Sequence, residues 1–206
     1  FSLDAGEKWM KVPGLPTISV RDIEIQRRED DLVLATFGRG FYIVDDYSPL
    51  RVVSEELLNQ DCVIFPIKEA LSYVRENRLS GNNGRGWQGA TYYAAKNPTF
   101  GAVFAYYLKD KLKTKKEVRK EAEKKQDWKY PTIDDFRAED RESEPQIVFT
   151  IRDSSGGVVR QFSGPRGDGM HRVAWDLRYP SARPISLSAG ELAPWDEPTT
   201  GPLAPA

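Results

Sequence analysis

The chain has 206 residues, and its 30 Lys and Arg against 31 Asp and Glu give a formal net charge of −1. That balance excludes a globally basic nucleic-acid binder. One Cys and one His exclude a disulfide framework and a multi-His metal site, while 39% hydrophobic and 11% aromatic residues support a packed core.

Residues 1–50 predict short strands separated by turns. Residues 8–12 form the first candidate, and Pro13-Gly14-Leu15-Pro16 a loop. Residues 18–25 alternate, with Ile18, Val20, Ile23 and Ile25 apolar and a phase break at Arg21-Asp22. A second strand covers 32–37, Gly38-Arg39-Gly40 is a tight turn, and a third strand covers 41–44. Together these predict an antiparallel meander.

Residues 51–96 read as a connector. Ser54 before Glu55-Glu56 predicts a short helix with a serine N-cap. The apolar run 62–66 predicts a buried thiol at Cys62. A helix is predicted over 69–78. Residues 80–89 form a Gly-rich loop anchored by Trp87, without the Gly-Lys-Ser/Thr of a phosphate loop.

Residues 97–178 predict a second β unit, with strands at 101–108, 147–151, 158–162 and 171–177. Asp153-Ser154-Ser155-Gly156-Gly157 and residues 164–169 are turns. A charged insertion spans 109–145. Its basic half, 111–126, predicts a solvated helix, and its acidic half, 127–144, an acidic return loop drawn to it. From Tyr179 to the end, Pro, Ser, Ala and Gly predict a linker or tail in which Leu192 and Trp195 are the apolar exceptions. No apolar run reaches the ~18 residues of a membrane-spanning helix.

Ser2-Leu3-Asp4-Ala5-Gly6-Glu7-Lys8-Trp9 has Ser, Asp, Gly and Trp at a distinctive spacing. Asp4 suits accepting turn N–H groups, Ser2 bracing the turn, and Gly6 a positive φ. Trp9 is expected to open the next strand and bury its ring, so that Trp9→Ala outweighs any single change in 111–125. The octet resembles the Asp-box of BNR repeats, found in sialidase-like and sortilin-like β-propellers. Residues 31–46, with Phe37-Gly38-Arg39-Gly40 at their centre, resemble a blade of the large bacterial sortilin-like BNR proteins. Where those proteins commonly have His before Gly-Arg-Gly, this chain has Phe37.

Lys96-Asn97-Pro98-Thr99-Phe100-Gly101 is similar to the segment following the propeller in that family. Gly169-Met170-His171-Arg172-Val173-Ala174-Trp175-Asp176 is similar to a strand of the flagellar hook-cap type of immunoglobulin-like domain. The resemblance implies a mainly β fold: closing propeller blade or blades over 1–50, then an immunoglobulin-like β-sandwich over 97–178 carrying the helical charged insertion. It implies a secreted or cell-envelope protein and a protein or glycan ligand. The start at Phe1, one residue before the octet, reads as a piece of a longer protein.

For function, the resemblance leaves two readings. One is a non-catalytic binding and scaffold part. The other is the C-terminal part of a BNR-type glycoside hydrolase whose catalytic residues lie upstream. In the blade topology Arg39 lies on the usual ligand face and is the candidate contact. Asp45-Asp46 do not suit glycoside hydrolysis, because adjacent strand residues point to opposite faces. Asp134-Asp135 read as solvated, His171 as a satisfied, partly buried imidazole, and Asp176 as a strand end. No residue is nominated as catalytic, and the sequence calls for no cofactor, metal or nucleic-acid partner.

Overall fold

The computed structural model describes residues 1–12, 14–73, 98–125, 129–182 and 201–204. The loop at 80–89, Trp87, Leu192 and Trp195 lie outside the described residues. The chain is mainly β and forms two compact units.

The first unit comprises Phe1–Val52, Pro66–Val103 and Ala174–Leu177. Its sheet is the antiparallel meander β1 (Val20–Gln26), β2 (Asp31–Thr36) and β3 (Phe41–Val44). The predicted phase break at Arg21-Asp22 is a register shift between Val20 and Asp22. Cross-strand pairing then puts Ile23, Ile25, Leu32, Leu34, Tyr42 and Val44 on one face. The other face carries Val33, Ala35, Phe41 and Ile43 beside Asp22 and Glu24. A central strand apolar on both sides suits a sheet covered on both sides. Phe41 and Ile43 are nevertheless exposed.

After β3 the chain turns at Asp46, whose φ is 46°. Asp31 accepts the Asp46 N–H at 2.8 Å, and Asp46 accepts the Ser48 hydroxyl at 2.6 Å. Helix α1 (Ser48–Val52) follows. Its Arg51 lies over the Tyr47 ring and pairs with Asp30 at 3.0 Å. Asp46 thus ends a strand, as its sequence position suggests.

Three expectations for this unit fail. Residues 8–12 form no strand, because Met10 pairs only with Phe1 in a reciprocal couple of 2.8 Å bonds. Trp9 is 76% exposed rather than buried. A quarter-buried indole contributes no more than about 1–2 kcal/mol. Trp9→Ala is therefore expected to lower the urea midpoint less than Arg119→Ala, the reverse of the sequence expectation. Parallel unfolding curves of the two variants check this. Residues 69–73 are also not helical; 74–78 lie outside the described residues.

The second unit comprises Val53–Phe65, Phe104–Val173 and Arg178–Ala206. Ser54 caps α2 (Glu55–Leu58), accepting the Leu57 N–H as predicted. Strand β5 (Ala102–Leu108) lies between β4 (Cys62–Ile64) and β8 (Gly169–Trp175). In β4 only Val63 is half-buried, and Cys62 is exposed, which corrects the buried-thiol expectation. On a three-residue strand the alternation sends Cys62 and Ile64 outward together.

Strands β6 (Ile147–Arg152) and β7 (Val158–Gly164) form a separate antiparallel hairpin. Its turn is held by Asp153, which accepts from the Ser155 hydroxyl and from the Ser155 and Gly157 N–H groups. Phe149 and Phe162 stack at 5.3 Å and meet Phe104 of β5. Tyr106, 1% exposed, completes this aromatic core. Its hydroxyl donates to Pro165 O at 2.6 Å, and its ring lies 5.2 Å from His171. Burial pushes the Tyr106 phenol above its usual pKa. His171 contacts Gly167 O at 2.8 Å, so the imidazole is satisfied locally. None of the three sheets closes on itself among the described residues.

The insertion is a helical arm. Helix α3 (Lys115–Lys124) is capped by Thr114 and Glu117 in a reciprocal capping box. The acidic half is not a loop: α4 (Ile133–Arg141) forms there, with a second capping box from Thr132 and Asp135. Acidic residues in a first helical turn favour the helix dipole, which offsets the poor helix propensity of Asp. The two halves do attract. Arg119 holds Glu139 through two bonds of 2.6 and 2.9 Å and also reaches Glu123.

Arg166 secures the base of this arm. It contacts Leu112 O at 3.2 Å, Glu117 at 3.4 Å and Glu144 at 3.6 Å. Glu117 also accepts from Lys111 and from the Thr114 N–H. The Lys111 bond, then the Thr114 N–H, hold its carboxyl down at about 2 instead of 4.5. A lowered carboxyl pKa stabilises fully above its unfolded value and is lost on protonation. Helical ellipticity is therefore expected to fall as pH drops from 4.5 through about 2. Glu117→Gln should flatten that part of an acid titration followed by circular dichroism.

The predicted tail partly returns. Arg178 and Leu203 form an antiparallel bridge, and Tyr179 N–H donates to Pro202 O at 3.0 Å. Gly201 is buried there, because a Cβ would overlap the Tyr179 and Pro180 carbonyl oxygens.

Candidate functional site

Two local arrangements carry the nominated residues. The first is the turn at the N-terminal end. Ala5 and Gly6 take φ of 58° and 100°, which folds the chain back on itself. The Ser2 hydroxyl donates to Asp4 Oδ1 at 2.7 Å and accepts the Gly6 N–H at 2.8 Å. Asp4 Oδ1 also accepts the Lys8 N–H at 2.9 Å. The Lys8 N–H, then the Ser2 hydroxyl, hold the Asp4 carboxyl below its ordinary pKa. Trp9 lies over Gly6: a Cβ at Gly6 would stand 3.8 Å from its ring. Ser2, Asp4, Gly6 and Trp9 thus meet in one turn, with the Ser2 hydroxyl and Asp4 Oδ1 bonded within the turn itself. Its chemistry is structural.

The second is the β2–β3 turn. Gly38 and Gly40 have φ of 79° and 70°, conformations that leave Arg39 projecting between two glycines. Gly40 O accepts both the N–H and the hydroxyl of Thr36, at 3.0 and 2.7 Å, and closes the turn. Arg39 is exposed and makes no hydrogen bond or ion pair with the described residues. Phe37, beside it, is 67% exposed, and the Arg21 guanidinium lies 4.9 Å from its ring centre.

Two arginines and an exposed ring offer forked hydrogen bonds and a stacking surface. Such groups suit contact with carboxylates, sugar faces or aromatic side chains. Arg39 is the residue nominated from the sequence; Arg21 was not nominated. The pairing of Arg21 with Phe37 arises at the bulge, where two residues of β1 face one of β2. The phase break was legible, but its side-chain consequence was not.

The acidic pair of the insertion is divided between a helix cap and solvent. Asp135 serves its capping box, where the Thr132 hydroxyl and then its N–H lower the carboxyl pKa. Asp134 faces solvent beside Arg137. Among the described residues no cluster of three or more His, Cys, Asp or Glu is placed to hold a metal ion. Among them too, no helix is long and apolar enough to cross a membrane. Compared with known proteins, the chain matches no family model, no curated protein and no solved structure.

Proposed function

We propose that this chain is the non-catalytic binding and scaffold part of a secreted or envelope β-propeller protein of the BNR type. In this reading β1–β3 belong to a closing blade, and the second unit is an immunoglobulin-like sandwich. The observation that supports it is the Ser2–Asp4–Gly6 turn, whose local hydrogen bonds are of the kind expected of the Ser, Asp and Gly of an Asp-box. The double-sided apolar strand β2 supports it, because blades stack on both faces.

Binding is favoured over hydrolysis by how the nearest acidic pair is used. Asp46 is committed to Ser48 and to its own turn. The exposed Arg39 turn is the proposed ligand contact, and glycans or acidic protein surfaces are the matching ligand classes. The test is a glycan panel probed with the full-length protein for both retention and turnover. Retention without turnover, weakened several-fold by Arg39→Ala, is expected. Turnover of any glycan would overturn the non-catalytic reading and favour a glycoside hydrolase with upstream carboxylates. Unchanged retention in Arg39→Ala would remove this turn from the ligand face.

A further inference from the structure

We propose that strand β3 is a pairing edge for a second copy of this chain, joined antiparallel about a two-fold axis into one continuous sheet. The inference goes beyond the ligand reading and does not rest on it. Pairing at an edge leaves both faces of the sheet unchanged, with or without neighbouring blades.

The ladder shows which backbone groups are on offer. Gly40 O accepts the Thr36 N–H at 3.0 Å, so Thr36 and Gly40 are a hydrogen-bonded pair. Bonded and non-bonded pairs alternate along an antiparallel ladder. Leu34–Tyr42 and Leu32–Val44 are therefore bonded, and Ala35–Phe41 and Val33–Ile43 are not. On the other side of β2 the Phe37 N–H donates to Ser19 O at 3.0 Å, in keeping with this alternation. The N–H and C=O groups of Phe41 and Ile43 thus point away from β2. Among the described residues nothing bonds to them, and β3 is last in its sheet.

The opposite edge is guarded. By the same alternation β1 turns the Ile23 N–H outward, and Asp22 Oδ1 accepts it at 2.9 Å. β1 also has the register shift and the charges of Arg21, Asp22 and Glu24. These are features that keep an edge from pairing. β3 is Phe-Tyr-Ile-Val, without charge, proline or register shift. One open and one guarded edge stop the assembly at two copies.

Register and charge select a second copy as the occupant. Outward residues must meet outward residues, with side chains on matching faces. Phe41 opposite Ile43 of the second copy satisfies both and sets Tyr42 against its own counterpart at the axis. The two bonded pairs supply about four backbone hydrogen bonds. Each also places an aromatic ring beside a β-branched side chain. The same register carries Arg39, before β3, towards Asp45, after β3, of the second copy, and the symmetry repeats the contact. Both residues are exposed, and Arg39 has no ion pair among the described residues. Neighbouring charges keep this polarity. The Arg39 end of the sheet holds Arg21 and Arg39 against Asp22, while residues 27–31 and 45–51 with Lys68 hold five carboxylates against four cations. A ligand on Arg39 competes with the second copy for one guanidinium.

The test is sedimentation velocity of the full chain from about 1 μM to 1 mM, because a contact this short belongs to the weak class. A monomer–dimer equilibrium without larger species is expected. Ile43→Pro removes an outward N–H without taking a bond from β2, and should leave only monomer. Phe41→Lys replaces it if circular dichroism shows lost strand. Arg39→Asp should weaken the dimer by at least about tenfold, and so should Asp45→Arg. An equal mixture of those two variants should dimerise as wild type does, since each acid then meets an arginine. A chain monomeric throughout overturns the proposal and leaves the edge to another strand. A dimer indifferent to Arg39→Asp or to the edge variants, a mixture no tighter than its components, or open-ended polymers also overturn it.

Discussion

Gly101→Ala is expected to destabilise the chain by about 3–5 kcal/mol, from backbone strain and steric overlap together. Gly101 sits at the start of β5 with a φ of 104°, which L side chains rarely adopt. A Cβ there would also overlap the Trp175 carbonyl oxygen and stand 2.9 Å from its carbon. Backbone is the obstacle, so a rotamer change does not relieve it. Gly156→Ala is the matched control: its φ is 87°, yet nothing lies within 4 Å of the added carbon. That variant should lose only about 1 kcal/mol, the strain alone. Urea unfolding of both separates the two effects. Equal losses would show that the close approach to Trp175 is not what demands glycine.

Tyr106→Ala is expected to cost about 3–5 kcal/mol, in the range for emptying a buried aromatic site. The ring is 1% exposed and lies 5.1 Å from Phe149 and 5.2 Å from His171. The vacated space cannot close easily, because Gly164 offers no side chain to fill it. Tyr106→Phe keeps the ring and removes only the donor to Pro165 O. Its expected cost is about 1 kcal/mol, that of one hydrogen bond. Thermal or urea midpoints of the pair give the ratio. A Phe variant as damaged as the Ala variant would make the hydroxyl, not the ring, the main support.

Local periodicity and turn chemistry were legible in the residues. The alternation at 147–151 gave the half-buried face of β6, and the Asp-Ser-Gly spacing gave the turn at Asp153. Ser54 and the Ser2–Asp4–Gly6 turn were readable for the same reason: each bond closes within a few residues. Features made by distant segments were not. Cys62 was misplaced because an apolar run does not tell which side of a three-residue strand is covered. Trp9 was misplaced because a motif names a ring but not what covers it. At α4, the acidic composition hid the Thr132–Asp135 box that starts the helix. The Arg119–Glu139 contact needed two helices to be placed side by side, and the return of Leu203 to Arg178 joins residues 25 positions apart.

Arg166 gives the arm a further property. A single guanidinium gathers Leu112, Glu117 and Glu144, so the arm leaves and rejoins the β framework at one anchored point. Changes in its length then act beyond that point. The entropy of closing a loop grows only with the logarithm of its length, about 0.6 kcal/mol per doubling. Whole helical turns can be added to or trimmed from α3 and α4 while the strands on either side keep their register. The arm is thus an exchangeable cartridge: the β framework sets where it is mounted, and its own two helices set how far it extends.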